Sequence, residues 1–275
     1  LLFSMKSSLL IAGAGYLGSE IANLAIDHQI TTFTKSGGDG HEACDLSSSE
    51  QVSHLSKKIP PPEVIVHCAS SGRGGAEAYR AVFVEGTKNL LRSFPNSHLI
   101  LTSSTSVYHQ TDGSSVDESS LTTPIRETSQ LLLEAEQIVL KSNGTVARLA
   151  GLYGPGRSVV LRKFLNGSAV IEESGQRILN QIHVQDAARA TLHLAQHKLS
   201  GIFNVADDHP ISQLKCYQEL ADYFDKPLPV TGEKNISRKR AWTHKRVLNR
   251  KIRETGWKPI FPRYFDALDT LTSTL

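Results

Sequence analysis

The chain has 275 residues, with 30 Lys or Arg against 27 Asp or Glu and a formal net charge of +3. This length and composition are typical of one large globular domain, or of one domain with a smaller lobe. No apolar run approaches the roughly 20 residues that cross a bilayer, so we predict no membrane association. Three scattered cysteines, Cys44, Cys68 and Cys216, favour a reducing, cytoplasmic compartment over a disulfide framework. They form no C-x-x-C pair, and we predict no metal site.

A glycine-rich turn follows the first apolar segment. Residues 9–22 read LLIAGAGYLGSEIA, which places G-x-G-x-x-G between a short strand and an amphipathic helix. That context indicates a dinucleotide-binding turn. Gly13 permits the tight turn, Gly15 lets a pyrophosphate approach the backbone, and Gly18 lets the helix pack closely. The helix start would present free N–H groups to the phosphates. A glycine turn without a ligand is the alternative. The expected contact residues are Gly13, Gly15, Tyr16, Leu17 and Gly18.

The second strand is predicted at residues 30–34, and its end bears on the choice of cofactor. Dinucleotide-binding folds that use NAD usually place Asp or Glu there, to hold the ribose 2′-hydroxyl. This chain has Thr34, Lys35 and Ser36 instead. A lysine and two hydroxyls could bind a 2′-phosphate, which a carboxylate would repel. We therefore favour NADP over NAD, with a solvated Lys35 as the alternative.

A third short strand is predicted to end at Cys44-Asp45-Leu46, before a polar helix over residues 47–58. Asp45, beside Leu46, could bond the adenine amino group, or it could cap that helix. The apolar strand at residues 64–67 runs into Cys68, Ala69 and Ser70. Ligands bind at the carboxyl ends of strands in open α/β sheets, so these three residues are expected at the cofactor. Arg73, in the next loop, could touch a substrate anion or lie exposed.

Further along, strands and helices alternate. The predicted helices cover residues 79–94, 124–141 and 184–196, and the predicted strands cover 98–101, 145–149 and 202–205. This alternation predicts an α/β fold with a doubly wound parallel sheet of the Rossmann type. We assign residues 5–150 to a dinucleotide-binding domain and 151–275 mainly to a smaller substrate lobe, with 182–205 returning to the sheet. Residues 220–228 and the basic tail are assigned to this smaller lobe over the cleft. A hydroxyl-rich segment, which contains Ser104 and Tyr108, follows the strand at 98–101 and could hold a carbonyl or hydroxyl substrate.

Charge is unevenly distributed. Residues 231–260 contain ten Lys or Arg and two Glu. Arg238, Lys239, Arg240, Lys245 and Arg246 could bind a phosphorylated substrate or nucleic acid. Only Trp242 provides an aromatic residue among them, which argues against nucleic acid. A solvated basic face is the interpretation that we favour.

Five motifs together resemble the extended short-chain dehydrogenase/reductase superfamily, in its NAD-dependent epimerase/dehydratase group. The resemblance covers nearly the whole chain, and the nearest subgroup is the atypical, YeeZ-like proteins, on SSTSVY and RLAGL-x-GPGR. It implies a Rossmann fold, a nicotinamide cofactor and a small-molecule substrate. It leaves open a homodimer through the helices at 79–94 and 124–141. The motifs are GAGYLG at 13–18, SSTSVY at 103–108, RLAGLYGPG at 148–156, IHVQDAARA at 182–190 and TGWKP at 255–259.

The resemblance also implies a catalytic Ser, Tyr and Lys with a helical Asn. Ser104 takes the serine position. The tyrosine position is Thr128, the lysine position is Leu132, and the asparagine position is Phe83. The family's sugar-contacting asparagine falls on Gly151, which argues against a nucleotide sugar.

Two functions remain open on these residues. One is an oxidoreductase or epimerase-like enzyme with a remodelled site, in which Ser104 orients the substrate. The proton donor would be Tyr108, Glu127 or the substrate itself. The alternative is that Tyr108 packs in the core and that Glu127 lies in a solvated helix turn. The other is a non-catalytic protein that senses NADP(H) and docks a partner.

Overall fold

The computed structural model describes residues 7–72, 74–234 and 242–273. A seven-stranded sheet, parallel throughout, has the order β12-β7-β5-β4-β1-β2-β3. This is the predicted α/β architecture. Its strands are β1 (Ser8–Ala12), β2 (Gln29–Thr34), β3 (Glu42–Ala43), β4 (Val64–His67), β5 (His98–Ser104), β7 (Thr145–Leu149) and β12 (Gly201–Val205).

Within the described residues, eight shorter strands pair outside this sheet. They are β6 (Ser115–Val116), β8 (Gly151–Tyr153), β9 (Ile171–Glu172), β10 (Ile178–Leu179), β11 (Gln181–His183), β13 (Ile211–Ser212), β14 (Thr231–Gly232) and β15 (Arg246–Val247). Their pairs are β10 with β13, β11 with β8, β14 with β9, and β15 with β6.

The α-helices cover the sheet and build the lobe. They are α1 (Tyr16–Leu24), α2 (Ser49–Lys58), α3 (Ala76–Tyr79), α4 (Gly86–Ser93), α5 (Glu127–Lys141), α6 (Val159–Leu165), α7 (Val184–Gln196), α8 (Gln213–Phe224), α9 (Arg250–Glu254) and α10 (Leu268–Thr272). Helices α5 and α7 both contact β5 and β7, but α7 packs against α1 whereas α5 packs against α4. They therefore cover opposite faces of the sheet.

Several element boundaries differ from the sequence predictions, each for a local reason. Helix α5 begins at Glu127 rather than at Pro124, because Arg126 is still extended at the N-cap. The lobe helix α8 begins at Gln213 because the Ser212 side chain accepts a hydrogen bond from the Lys215 N–H. It ends at Phe224, before Asp225 with φ +48°. The sequence assigned residues 220–228 to the lobe without an element type.

The helix predicted at residues 79–94 is interrupted. Helix α3 leads into a π-helical segment over Arg80–Glu85, and α4 follows it. At the end of this segment the Gly86 N–H bonds to the Ala81 carbonyl, five residues back. π segments of this kind occur frequently at functional sites.

Two groups of buried apolar side chains hold the molecule together. The larger lies on the sheet and its helices, with β1, β4 and β5 almost completely buried. The smaller joins α6, α8 and α10, with Tyr153 and Tyr264 packed at 4.8 Å between ring centroids. Among the described residues, no helix is long and apolar enough to span a membrane.

The basic segment is partly explained by packing within the chain. Lys245 is 4 % exposed, and its ammonium donates to the Tyr108 carbonyl and the Thr243 hydroxyl, each at 3.0 Å. Burial lowers the pKa of Lys245 to about 8. Arg253 pairs with Asp208 at 3.4 Å. Three consecutive basic residues of this segment, Arg238, Lys239 and Arg240, lie outside the described residues, as does Arg73.

Candidate functional site

One cleft of about 1250 Å³ lies along the carboxyl edge of the sheet, from the glycine turn to the first turn of α5. It brings together most of the residues that the sequence singles out, although they come from five strand ends. Gly18, Ser36 and Tyr108 do not line it. The predicted residues that do are Gly13, Gly15, Tyr16, Leu17, Thr34, Lys35, Asp45, Leu46, Cys68, Ala69, Ser70 and Ser104.

The three glycines of the turn serve three different needs. Gly13 has φ +103°, and a Cβ there would collide with the backbone of Ala69. A Cβ at Gly18 would collide with the Gly13 carbonyl, so this residue acts through close packing without lining the cleft. A Cβ at Gly15 would meet no atom within 4 Å, because it would point into open space. That space above the turn is a cradle that a side chain would fill, and it fits a pyrophosphate.

The N-terminus of α1 faces the same space. Gly15 is its N-cap residue and offers no side-chain oxygen to the first N–H groups. These groups therefore stay available to an anion, as the sequence predicts. Across the opening, the Arg157 guanidinium lies 5.2 Å from the Tyr16 ring centroid, and the Tyr16 hydroxyl donates to the Pro155 carbonyl at 3.1 Å.

Arg157 lines the cleft and was not among the predicted site residues. It belongs to the GPGR part of a motif that the sequence does contain, but 140 residues separate it from Tyr16 in the chain. Gly154 and Arg157 form an antiparallel bridge, which turns the guanidinium back over the glycine turn. The signal in the sequence was therefore the motif, and its position over Tyr16 came only from the fold.

At the carboxyl end of β2, the Lys35 ammonium forms an ion pair with the Asp45 carboxylate at 2.7 Å. The hydrogen bond from Lys35 lowers the pKa of Asp45. Asp45 also accepts bonds from the Ser47 N–H and hydroxyl, whereas Ser48 caps α2. The interpretation of Asp45 as the cap of that helix was therefore wrong. The Thr34 hydroxyl accepts a hydrogen bond from the Gly37 N–H at 3.0 Å and stabilises the turn. Lys35 supplies a positive charge at this corner of the cleft.

The four positions that the sequence resemblance assigns to catalytic residues lie together at one end of the cleft. Ser104, Thr128, Leu132 and Phe83 all line it, on β5, α5 and the π segment. The fold thus presents these four positions together, but neither a tyrosine nor a lysine stands at positions 128 and 132. Glu127 also lines the cleft and is exposed. The Ser104 hydroxyl accepts from the Ser106 N–H at 3.2 Å and begins a short 3₁₀ turn.

Tyr108 is not part of the cleft. Its side chain is fully buried, and its hydroxyl donates to Asn204 Oδ1 at 2.8 Å and accepts from Arg148 at 2.9 Å. Burial raises the pKa of Tyr108. The structure therefore places Tyr108 in a buried polar network, where its hydroxyl reaches no substrate in the cleft. The proposal that it supplies the acid loses its geometric basis.

That network links the sheet to α5. Arg148 on β7 donates to both carboxylate oxygens of Glu136, at 2.6 to 3.2 Å, and Ser103 donates to Glu136 at 2.5 Å. The Arg148 and Glu136 side chains are 4 % and 1 % exposed. Ser103 is the neighbour of Ser104 on β5, so the buried ion pair fixes the strand end that carries Ser104.

Two histidines near the cleft are uncharged at neutral pH. Burial lowers the pKa of His183 to about 4, and its ring lies 4.3 Å from that of Phe261. Burial lowers the pKa of His67 to about 4 as well. The His67 Nε2–H donates to the Val82 carbonyl of the π segment at 3.0 Å, and the ring stacks on Phe83. His67 therefore supports the π segment from the sheet.

We expect stability to fall as the pH is lowered from 6.5 to 4, partly through His67. The unfolded imidazole binds a proton below its usual pKa of 6.5, whereas the folded one stays neutral down to about 4. The folded state binds fewer protons in that window, so the contribution is complete above pH 6.5 and is lost toward pH 4. It amounts to about 3 kcal/mol.

His67→Gln keeps an N–H donor for Val82 and removes the titration. Urea unfolding at several pH values should show a shallower acid loss in His67→Gln than in the wild type. His54→Gln, at an exposed position of α2, is the matched control and should keep the wild-type slope. Equal slopes in all three proteins would contradict the assignment to His67.

Metal ligation finds no support in the described part of the chain, where no group of three His, Cys, Asp or Glu is placed to hold an ion. His193 on α7 and His197, the C-cap residue of that helix, do stand four residues apart. However, His193 Nε2 bonds Thr255 Oγ1, and His197 Nδ1 bonds the His193 carbonyl, each at 2.9 Å. The three cysteines are free thiols.

Comparison with known proteins shows the family and the fold. A profile of the NAD dependent epimerase/dehydratase family matches residues 9–206. A solved structure from Methylobacillus flagellatus, classed with the NAD-dependent epimerases/dehydratases, is 25 % identical, with a TM-score of 0.80 and 98 % of each chain covered. Human epimerase family protein SDR39U1 with NADPH is 17 % identical, with a TM-score of 0.79 over 98 % of this chain and all of the other.

One curated relative has a name that states a reaction. A protein from Streptomyces sp., named 3-diazoavenalumate denitrifying reductase, is 27 % identical over 157 residues. The match covers 51 % of this chain and 52 % of that protein, so the chain spans about half the length of this curated relative.

Proposed function

Because the chain belongs to the NAD-dependent epimerase/dehydratase family, we propose that it is an NADP(H)-dependent oxidoreductase of a small molecule, with a remodelled Tyr–Lys site. One observation carries the proposal. A single cleft joins the glycine cradle to Ser104 and to the positions where the family's Tyr and Lys would stand. The binding half of the site is retained, and the proton-transfer half is replaced by Thr128, Leu132 and Phe83.

The cofactor half uses residues of known position. The turn from Gly13 to Gly18 and the start of α1 would hold the pyrophosphate, with Arg157 as a second cation over Tyr16. Lys35 would hold a 2′-phosphate, exchanging Asp45 for it. A bound nicotinamide cofactor supplies or accepts hydride, which is chemistry that no side chain provides. Ser104 would orient the reacting group of the substrate.

A reductase fits the remodelled end better than an epimerase does. A tyrosine acid, with a lysine to lower its pKa, serves reactions in which the protein must take or give a proton. With threonine and leucine at those positions, the substrate or solvent supplies the proton. The name of the Streptomyces relative, a denitrifying reductase, supports a reductive direction.

The other parts of the assignment are also proposals. We place the chain nearest the YeeZ-like subgroup on the motifs at 103–108 and 148–157, and we propose a cytoplasmic enzyme on its free thiols. We propose no nucleic-acid partner, since several basic side chains of 242–258 are held by contacts within the chain. A homodimer would use the outer faces of α3 to α5, where Arg80 pairs with Glu134 at 3.2 Å.

A non-catalytic NADP(H) sensor is the second candidate, favoured by the same loss of the Tyr–Lys pair. The two are separated by incubating the protein with NADPH and a panel of small electrophiles. Loss of absorbance at 340 nm that is slower in Ser104→Ala indicates an enzyme. Tight NADPH binding without turnover across the panel indicates a sensor.

Titration with NADPH and NADH, followed by nicotinamide fluorescence, tests the cofactor assignment. We expect micromolar binding of NADPH and weaker binding of NADH. Lys35→Ala should lower the NADPH affinity about tenfold, about 1.4 kcal/mol, and leave that of NADH almost unchanged, because only the 2′-phosphate meets Lys35.

Lys58→Ala, at the exposed end of α2, removes the same charge away from the cleft and should preserve the preference for NADPH. Equal affinities for both cofactors in the wild type would refute NADP selection. Absence of binding of either would refute the proposed function as a whole.

A further inference from the structure

We infer that the substrate end of the cleft binds a planar aromatic molecule rather than a nucleotide sugar. The inference deepens the proposed function and rests on it. It comes from the side chains that surround Ser104, and from what the π segment presents to them.

Apolar side chains form part of the lining at this end of the cleft, and we call this part the wall. Its side chains come from the π segment and the preceding helix, from α5, and from the end of β7 with the strand that follows. They are Tyr79, Val82, Phe83, Leu132, Leu149 and Leu152, and all line the cleft. A sugar ring needs hydrogen-bond partners around its edge, and a surface of this kind leaves its hydroxyls unpaired. A flat apolar ring has no hydroxyl groups that would be left without hydrogen bonds there.

Two aromatic rings of this wall are fixed in place. Phe83 lies 5.1 Å from the Tyr79 ring at an interplanar angle of 41° and stacks on His67 at 5.9 Å and 18°. His67 is itself held by its bond to the Val82 carbonyl. Preorganised aromatic rings favour an offset or tilted partner ring, so this wall selects a planar aromatic ligand.

Polar groups line the same end of the cleft. Ser104, Ser106 and Thr128 present hydroxyls at the strand and helix ends, and Arg126 and Arg157 also line the cleft. An aromatic ring that carries hydroxyl or carboxylate substituents would find partners for them here. Apolar rings beside hydroxyls and guanidinium groups suit a planar ring with polar substituents, which aromatic acids offer.

The position of the family's sugar contact is also closed. Gly151 stands there, and a Cβ at this residue would meet the Asn180 carbonyl at 3.0 Å. That distance is tighter than ordinary contact, and the obstacle is backbone, which yields less readily than a side chain. An asparagine at 151 would therefore be strained, and the sugar contact is not merely missing.

The test uses calorimetric titration of the protein saturated with NADP⁺. The probes are 4-hydroxycinnamate as a planar aromatic acid, cyclohexanecarboxylate as a non-planar acid, and UDP-glucose as a nucleotide sugar. We expect 4-hydroxycinnamate to bind at least about tenfold more tightly than either of the others. Tighter binding of UDP-glucose, equal binding of the two acids, or no binding of 4-hydroxycinnamate would overturn the inference.

Variants at Phe83 assign the effect to the aromatic wall. Phe83→Asn should weaken 4-hydroxycinnamate about tenfold, and Phe83→Leu, which stays apolar, should weaken it by a smaller factor. Phe265→Asn is the matched control in the lobe, away from the cleft, and should bind the probe as the wild type does. Unchanged binding in the folded Phe83→Leu and Phe83→Asn proteins would overturn the role of the wall.

NADPH affinity is measured on every protein separately. If the wild type binds NADPH but not 4-hydroxycinnamate, the substrate class fails while the proposed cofactor function stands. If NADPH itself does not bind, the proposed function fails, and the two failures are therefore distinguishable.

Discussion

Glu136→Ala is expected to lower the free energy of unfolding by about 3–5 kcal/mol, the largest stability effect among the substitutions considered for this chain. The substitution leaves the Arg148 guanidinium buried without its carboxylate, because Arg148 is 4 % exposed and Glu136 accepts three of its hydrogen bonds. It also removes the acceptor of the Ser103 hydroxyl. A charge that is left unpaired in the interior destabilises the fold far more than one left unpaired at the surface, where water solvates it.

The same helix supplies the control. Glu134 stands two residues earlier on α5 and pairs with Arg80 at 3.2 Å, but both side chains are about half exposed. Glu134→Ala should therefore cost less than about 1 kcal/mol. Urea unfolding followed by far-ultraviolet circular dichroism measures both. Similar losses for the two variants would show that Glu136 is not the buried anchor that its contacts indicate.

Gly15→Ala is expected to weaken NADPH binding at least about tenfold while the protein stays folded. A Cβ at Gly15 meets no protein atom within 4 Å, so the fold has room for it. The same methyl group would occupy the cradle where the pyrophosphate approaches the backbone. Gly13→Ala differs, because its Cβ would collide with Ala69 at a φ of +103°, and that variant should lose stability.

Asn23→Ala is the matched control for this experiment, since it adds alanine at an exposed position of the same helix. It should bind NADPH as the wild type does. Thermal unfolding without ligand is measured on all the variants, so that a loss of binding is separated from a loss of folding. NADPH affinity that Gly15→Ala leaves unchanged would contradict the use of this cradle by the cofactor.

Much of the fold was predicted correctly from sequence alone, because the signals are local. The cofactor half of the site was predicted from the same local signals and stays a proposal. The glycine turn sits between its own strand and helix, and Gly13 adopts the positive φ that the motif requires. Strand β7 and helix α7 were predicted at their observed bounds. The parallel sheet followed from the alternation of these elements, since parallel strands need such crossovers.

Other features depended on the tertiary structure, because their partners lie far apart in the chain. Tyr108 is four residues from Ser104, which suggested a shared site, yet its hydroxyl meets Asn204, 96 residues away. The π segment gives no periodic signal distinct from an ordinary helix, and only the bond from His67 to Val82 shows what supports it.

The sequence by itself determined the α/β fold with a parallel sheet of the Rossmann type, and it predicts that Thr128 and Leu132 replace the family's Tyr and Lys. Only the tertiary structure decided which distant side chains meet. It places apolar side chains beside Phe83 in the cleft, a buried ion pair at Glu136 and the Arg157 guanidinium over the Tyr16 ring. The physical reason is that local backbone preferences act over a few residues. Burial and charge pairing are instead set by which distant side chains the closed fold brings together.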